Sequence, residues 1–419
     1  MAETSRKRAG STGATSGQVG KFIAGIISAN ADNDPAGITT YAVAGSQTGY
    51  RQLWLMVLAL PMLVAIQSMC ARIGDVTHQG LGAVIRDHFP KPLAYLTILS
   101  LLLVTILMIG ADMTGISAAL ELITGIRFLL WLVPVAALIW VLVLFLNFET
   151  FTRYIAVLTF VFVAYIFSGV MSHPNWGEVL RNIFLPPLPS GSQALLSAVG
   201  ILGATFSPPL FFWQAKEEIE EKGTNKLERA RHLDALLAPG FIFAQVVTLF
   251  IMISTASVLY SHHQTIQTAQ DAARALVPLA GPAAKYLFGV GLIASGLVAI
   301  PVLSASAGYM VAELFGWKQS LSEGVDQAKG FYIVITLSLF TGVEIALSGV
   351  NPVLALYYSQ VLGGLVGPLI MGILLLLANR RKIMGNFTNK WFDNLFGGIS
   401  FLVMTGMVVL LVIQWARGG

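Results

Sequence analysis

Charge is scarce in this sequence. Only 11% of its 419 residues are Asp, Glu, Lys or Arg, against roughly a quarter in ordinary soluble domains. Cysteine is scarcer still. Cys70 stands alone, so no disulfide forms within the chain, and no CxxC or HExxH pattern supports a structural zinc site or a zincin protease. Long polar loops are missing, which argues against a receptor with a sizeable extramembrane domain. No nucleophile–base set or metal-ligand cluster falls at one depth of the chain, which argues against an intramembrane enzyme. The six histidines sit at segment ends or in loops.

What is present is apolar. Hydrophobic residues make up 56% of the chain, with 41 glycines suited to close helix packing. They fall in long blocks rather than in the alternating pattern of a barrel. The expected fold class is therefore an all-α polytopic membrane protein. Eleven helices are expected over 22–49, 52–72, 93–121, 128–147, 152–171, 193–215, 234–258, 282–311, 331–349, 352–378 and 395–415. Residues 1–20, rich in Ser, Gly and Thr, are expected to be a disordered tail, followed by one membrane-spanning domain over 21–419. The basic stretch ending at Lys21 imitates a signal peptide, but it is too long, and cleavage after Ala31 would delete half of the first helix.

Placing the N-terminus in the cytoplasm puts nineteen of the 25 Lys and Arg residues on the inside, as the positive-inside rule requires. The C-terminus then lies outside, and the expected location is a cell membrane. The same distribution explains the pI of about 9.1 without nucleic acid. The basic residues face anionic headgroups. The partner expected from this distribution is the lipid bilayer, with no obligate protein partner and no cofactor.

Two of the eleven helices carry an interruption. Helix 1 is broken at Asp34-Pro35-Ala36-Gly37, and helix 6 reaches Ala204-Thr205-Phe206-Ser207 before the pair Pro208-Pro209. Each opens a block of five, over 22–171 and 193–378, with 395–415 left over. Five is odd, so the second block is inverted relative to the first, and matching breaks in inverted halves mark a transport site. Carbonyls freed at such breaks, with the carboxylate of Asp34, suit a hard cation. Asp34 has a second reading, as the cap of the half-helix. Pro208-Pro209 has one too, as a plain kink.

These residues resemble the NRAMP family of divalent-metal transporters over nearly the whole chain after residue 20. The resemblance rests on Asp34-Pro35-Ala36-Gly37, Gly49-Tyr50 with Leu53-Trp54, and Ile201-Leu202-Gly203-Ala204-Thr205, supported by Gln67, Ala71-Arg72-Ile73-Gly74, Ala111-Asp112, Ala294-Ser295-Gly296-Leu297 and Ser359-Gln360-Val361. It implies the LeuT-like five-plus-five inverted repeat with an eleventh helix, and metal ligands at Asp34, Gly37, Ala204 and Ser207. Departures from the family pattern are specific. Its helix-1 Asp-Pro-Gly-Asn becomes Asp34-Pro35-Ala36-Gly37, and its helix-6 Met and His become Ser207 and Pro209. Its helix-3 Glu becomes Gly115, and a helix-10 Gln corresponds to Val366.

A thioether favours soft ions such as Mn²⁺ or Cd²⁺, whereas a serine hydroxyl is hard. Gly37 and Ser207 also leave more room, which matches a partly hydrated Mg²⁺. Loss of the His and Glu removes proton carriers. The set resembles the NRAMP-related magnesium transporters, which implies Mg²⁺, with Mn²⁺ also accepted, as substrate and no proton coupling. The competing expectation is a proton-coupled Mn²⁺/Fe²⁺ importer. An amino-acid or amine carrier on the same fold fits less well, because Asp34 repels a carboxylate. Asp32, Asn33, Thr205, Gln67 and Asp112 are further candidates to surround the ion or hold its water, as are Thr39 and Thr40. Gln214, Glu217 and Glu218 are expected on a solvated exit face or in an inner vestibule.

Overall fold

The computed structural model describes residues 33–145, 163–220, 233–321 and 325–417. The expectations for the 1–20 tail, for Asp32 and the first half of helix 1, and for the start of helix 5 lie outside the described residues. So does the side chain of Glu218. Among the described residues there is no strand, and eight stretches are long and apolar enough to cross a bilayer, α1 and α2 counting as one of them. Fourteen helices of at least eight residues are labelled in chain order: α1 (Pro35–Thr48), α2 (Leu53–Thr77), α3 (Leu81–His88), α4 (Lys91–Thr124), α5 (Phe128–Phe145), α6 (Val163–Met171), α7 (Trp176–Phe184), α8 (Ser192–Phe206), α9 (Pro209–Glu220), α10 (Leu233–Val258), α11 (Ala284–Phe315), α12 (Lys329–Leu347), α13 (Pro352–Ala378) and α14 (Trp391–Ala416).

α1 starts where the sequence dictates. Asp34 caps it, and Pro35, whose missing N–H costs nothing at a first helical position, follows. α1 has 14 residues and α8 has 15, so each is about 22 Å long at ~1.5 Å per residue, short of the ~30 Å hydrocarbon core. These two short helices are buried nearly all round. The longer helices around them turn large apolar side chains outward, among them Leu103 on α4 at 60% exposure and Leu402 on α14 at 68%. Such a surface suits lipid rather than water.

α8 and α13 approach closely through glycine. A Cβ on Gly203 would lie 2.0 Å from the carbonyl oxygen of Gln360, and one on Gly364 would lie 2.4 Å from that of Val199. Small residues at such a crossing let backbones meet, and here the meeting fixes the position of Gln360.

Several bounds differ from the expectation. Helix 2 runs on past 72 to Thr77, because Arg72 is neutralised inside the protein by Asp393 on α14 at 2.7 Å. The eighth helix runs on past 311 to Phe315, because Glu313 accepts the Gly82 N–H of α3 at 2.8 Å. The amphipathic helices α3 and α7 had no counterpart in a reading built on spans. Each is under ten residues and buries one face only.

Candidate functional site

The second break follows from covalent chemistry. Proline has no N–H. Pro208 and Pro209 therefore remove the helical donors that the carbonyls of Ala204 and Thr205 would meet four residues on. α8 ends at Ser207 in the left-handed region, with φ 37° and ψ 74°, a conformation few non-glycine residues adopt. The Ser207 N–H still donates to Gly203 O at 2.9 Å, and its carbonyl accepts from Leu210 at 2.8 Å. The chain re-enters a helix at Pro209. Helix 6 thus becomes two pieces, α8 and α9, with carbonyl oxygens at the joint.

At the expected first break only the side from Asn33 onward is described, and it presents the opposite polarity. Asp34 sits at the N–H end of α1. Its carboxylate accepts from the Gly37 N–H, and its carbonyl accepts from Ile38 at 3.0 Å. The capping reading of Asp34 is therefore realised. The N–H of Ala36 donates to Asp112 Oδ1 on α4 at 3.0 Å. Two buried aspartates thus share one helix N-terminus, whose partial positive charge stabilises anions. Among the described residues neither has an ion-pair partner. Two carboxylates so far from water call for a further positive charge or a proton.

Gln360 completes the site; from sequence it stood only within the supporting piece Ser359-Gln360-Val361 and was given no role at the ion. From α13 its Nε2 donates to Asp34 Oδ1 at 3.2 Å and Oδ2 at 3.0 Å. The same residue's backbone lies against Gly203, one position before Ala204. Gln360 therefore joins the two breaks, side chain on one and backbone on the other. The available signal was an amide inside an apolar span, which must find a polar partner.

Among the described residues several buried polar atoms here find no hydrogen-bond partner: Asp112 Oδ2, Gln360 Oε1, Asn33 Nδ2 and Thr40 Oγ1. Each such atom costs roughly 1–3 kcal/mol, and a ligand that brings its own water shell would relieve several of them. Thr205 is already engaged, donating to Ile201 O at 2.8 Å and lying 3.1 Å from Tyr41 Oη. It ties α8 to α1. Gly37 commits its N–H to Asp34. Gln67 is buried on α2, and among the described residues its Oε1 has no partner and no hydrogen bond connects it to Asp34. Gln214 is buried on α9. Among the described residues no three His, Cys, Asp or Glu side chains converge. Asp34 itself is met by the Gly37 N–H and the Gln360 amide nitrogen. The oxygens on offer nearby in the chain are the carboxylates of Asp34 and Asp112 and, at the helix-6 joint, carbonyls without helical donors, the ligand types hard cations prefer.

Comparison with known proteins bears on what such a site carries. The family model described as natural resistance-associated macrophage protein-like matches residues 25–414. The manganese transporter of Eremococcus coleocola, solved with an aromatic bis-isothiourea substituted compound, superposes with a TM-score of 0.75 at 19% identity, over 95% of this chain and 87% of that one. MHP1, a nucleobase-cation-symport-1 family transporter solved closed with bromovinylhydantoin, gives 0.63 at 14% identity over 95% and 91%. MhsT with L-phenylalanine gives 0.58 at 12% over 94% and 98%. At these identities the solved structures establish the fold, which is the LeuT-like five-plus-five inverted repeat.

Proposed function

The chain belongs to the NRAMP family, and from that premise we propose that it is a carrier of Mg²⁺, accepting Mn²⁺ as well, that works by alternating access without proton coupling. Membership makes it a divalent-metal transporter. The choice of Mg²⁺ rests on the donor set. Asp34 supplies the fixed charge, the carbonyls of Ala204 and Thr205 lack helical donors, and the Ser207 hydroxyl stands where the family carries a thioether. Gly37, small where the family has asparagine, leaves room for retained water. Mg²⁺ sheds water reluctantly and is commonly held through one or two carboxylates plus water. Gln360 holds Asp34 from both oxygens and so aims it. The mouth of the site is thus set by α1 and α8, the two short central helices.

The absence of proton coupling rests on Gly115 and Pro209, which stand where the family has Glu and His. A Cβ on Gly115 would lie 3.0 Å from the Pro35 Cβ, so a glutamate would press on the break itself. We further read the chain as eleven spans in a cell membrane, N-terminus inside, on the asymmetry of Lys and Arg.

The test is uptake by liposomes containing the purified protein, with an enclosed Mg²⁺ dye and Mn²⁺ as competitor. Mg²⁺ entry that saturates, with Mn²⁺ competing, is expected. No uptake of any divalent ion overturns the proposal, and Mn²⁺ uptake without Mg²⁺ uptake returns the site to the proton-coupled Mn²⁺/Fe²⁺ reading.

A further inference from the structure

A cavity of about 560 Å³ opens between the end of α4, the start of α13 and the segment Gln267–Gln270. A shell of six waters, at ~30 Å³ each, fits within it. Its walls include Ala118, Glu121 and Val353. Three residues deeper on each helix stand Gly115 and Leu356, which meet: a Cβ on Gly115 would lie 3.1 Å from Leu356 Cδ2 and 3.0 Å from Pro35 Cβ. Three residues deeper again on α4 is Asp112, bonded to Ala36 N. Glu121, Ala118, Gly115 and Asp112 thus descend toward the break in steps of about 4.5 Å.

What separates the cavity from the aspartates is thin. Leu356, Ala36 and Ala111 form a small apolar cluster of their own, apart from the two large cores, and Leu356 is 2% exposed. On this geometry we propose that the cavity is the outer antechamber of the Asp34 site, that it receives a hydrated divalent cation, and that Leu356 is the barrier the ion must pass. The inference rests on the carrier reading above and adds the route and its first stop.

The charges favour a cation near the floor. Glu121 is half-buried, and only its Oε2 is engaged, by the Phe128 N–H at 3.0 Å. The carbonyl end of α4 lies beside it and carries partial negative charge. Two features oppose. Arg127 also lines the cavity, but it is exposed at the rim, where water and salt screen it. The N-terminus of α13 points there too, but Asn351 Oδ1 occupies the N–H groups of Val353 and Leu354 at 2.9 and 3.2 Å.

The experiment uses full-length protein with Cys70, a buried residue, replaced by alanine. Ala118→Cys is treated with a charged trimethylammonium thiosulfonate, reconstituted, and assayed for Mg²⁺ uptake. Leu103→Cys, on the lipid-facing side of α4, is the control. The cysteine at 118 should react and uptake should fall at least tenfold, while the control keeps its rate. In parallel, Glu121→Gln should raise the half-saturating Mg²⁺ concentration about threefold at low ionic strength, with the maximal rate kept and the difference shrinking in salt. If the unmodified protein takes up no divalent ion, the carrier reading fails and takes the antechamber with it. If it transports Mg²⁺ but a cysteine at 118 stays unreacted, or reacts without slowing uptake, the antechamber alone is overturned. An unchanged half-saturation in Glu121→Gln removes the cation-attracting role.

Discussion

Gln360 and Asp34, 326 positions apart in sequence, are joined by one amide nitrogen that donates to both carboxylate oxygens. A helix from the second half of the chain thus aims the charged residue at the first break. Hydrogen bonds to a charged group are worth roughly 1.5–3 kcal/mol. Gln360→Ala should therefore raise the half-saturating Mg²⁺ concentration about 10- to 100-fold, with the protein still monodisperse in detergent. Concentration-dependent uptake measures it, and wild-type half-saturation would remove Gln360 from the site.

Gly203 is the position where packing and site coincide. Its absent Cβ would sit 2.0 Å from the backbone oxygen of Gln360, and backbone has no rotamer with which to yield. Gly203→Ala should lower the thermal unfolding midpoint in detergent and abolish uptake, since overpacking of this kind commonly costs about 1–3 kcal/mol or more. Gly398→Ala on α14, where nothing lies within 4 Å, should change neither.

The ion pair between Arg72 and Asp393, at 2.7 Å with side chains 3% and 0% exposed, fastens α14 to α2. Removing one member strands a buried charge, at a cost of roughly 3–5 kcal/mol. Arg72→Met and Asp393→Leu should each be strongly destabilised, and the double variant should regain much of the loss. Recovery stays incomplete because Asp393 also accepts the Lys390 N–H at 3.0 Å. Thermal unfolding of the three variants tests this, and an additive double variant would show that the two side chains act independently.

On the proposed site, Ser207 is the residue that selects hard over soft ions. Ser207→Met should shift preference toward Mn²⁺ and Cd²⁺ relative to Mg²⁺, with some loss of stability because φ there is 37°. Ser207→Gly, which relaxes that backbone, should keep the fold and the Mg²⁺ preference. Competition uptake with the three ions reads the shift, and an unchanged order in Ser207→Met would place Ser207 away from the ion.

The helix start at Asp34-Pro35 and the break at Pro208-Pro209 were legible because proline and aspartate are local signals. Asp34-Pro35 pairs a capping side chain with a residue suited to a first helical position, and Pro208-Pro209 must unbond the two carbonyls four residues earlier. What lay out of reach was pairing across the chain. Gln360 read as one polar residue in an apolar helix, because nothing in its own neighbourhood names Asp34. Arg72 was taken as the end of helix 2, because its neutralising partner is 321 positions away. Thr205 offered a hydroxyl from sequence, and only the approach of Tyr41 reveals that it is spent on joining α8 to α1.

Asp34 is proposed above as the charged ligand of an uncoupled Mg²⁺ carrier. The most direct measurement pairs an enclosed Mg²⁺ dye with an enclosed pH dye in liposomes holding either the wild-type protein or Asp34→Ala. Mg²⁺ entry without acidification of the lumen is expected for the wild type, and no entry for a folded Asp34→Ala. Mg²⁺ entry retained in Asp34→Ala, or acidification that accompanies entry in the wild type, would contradict it.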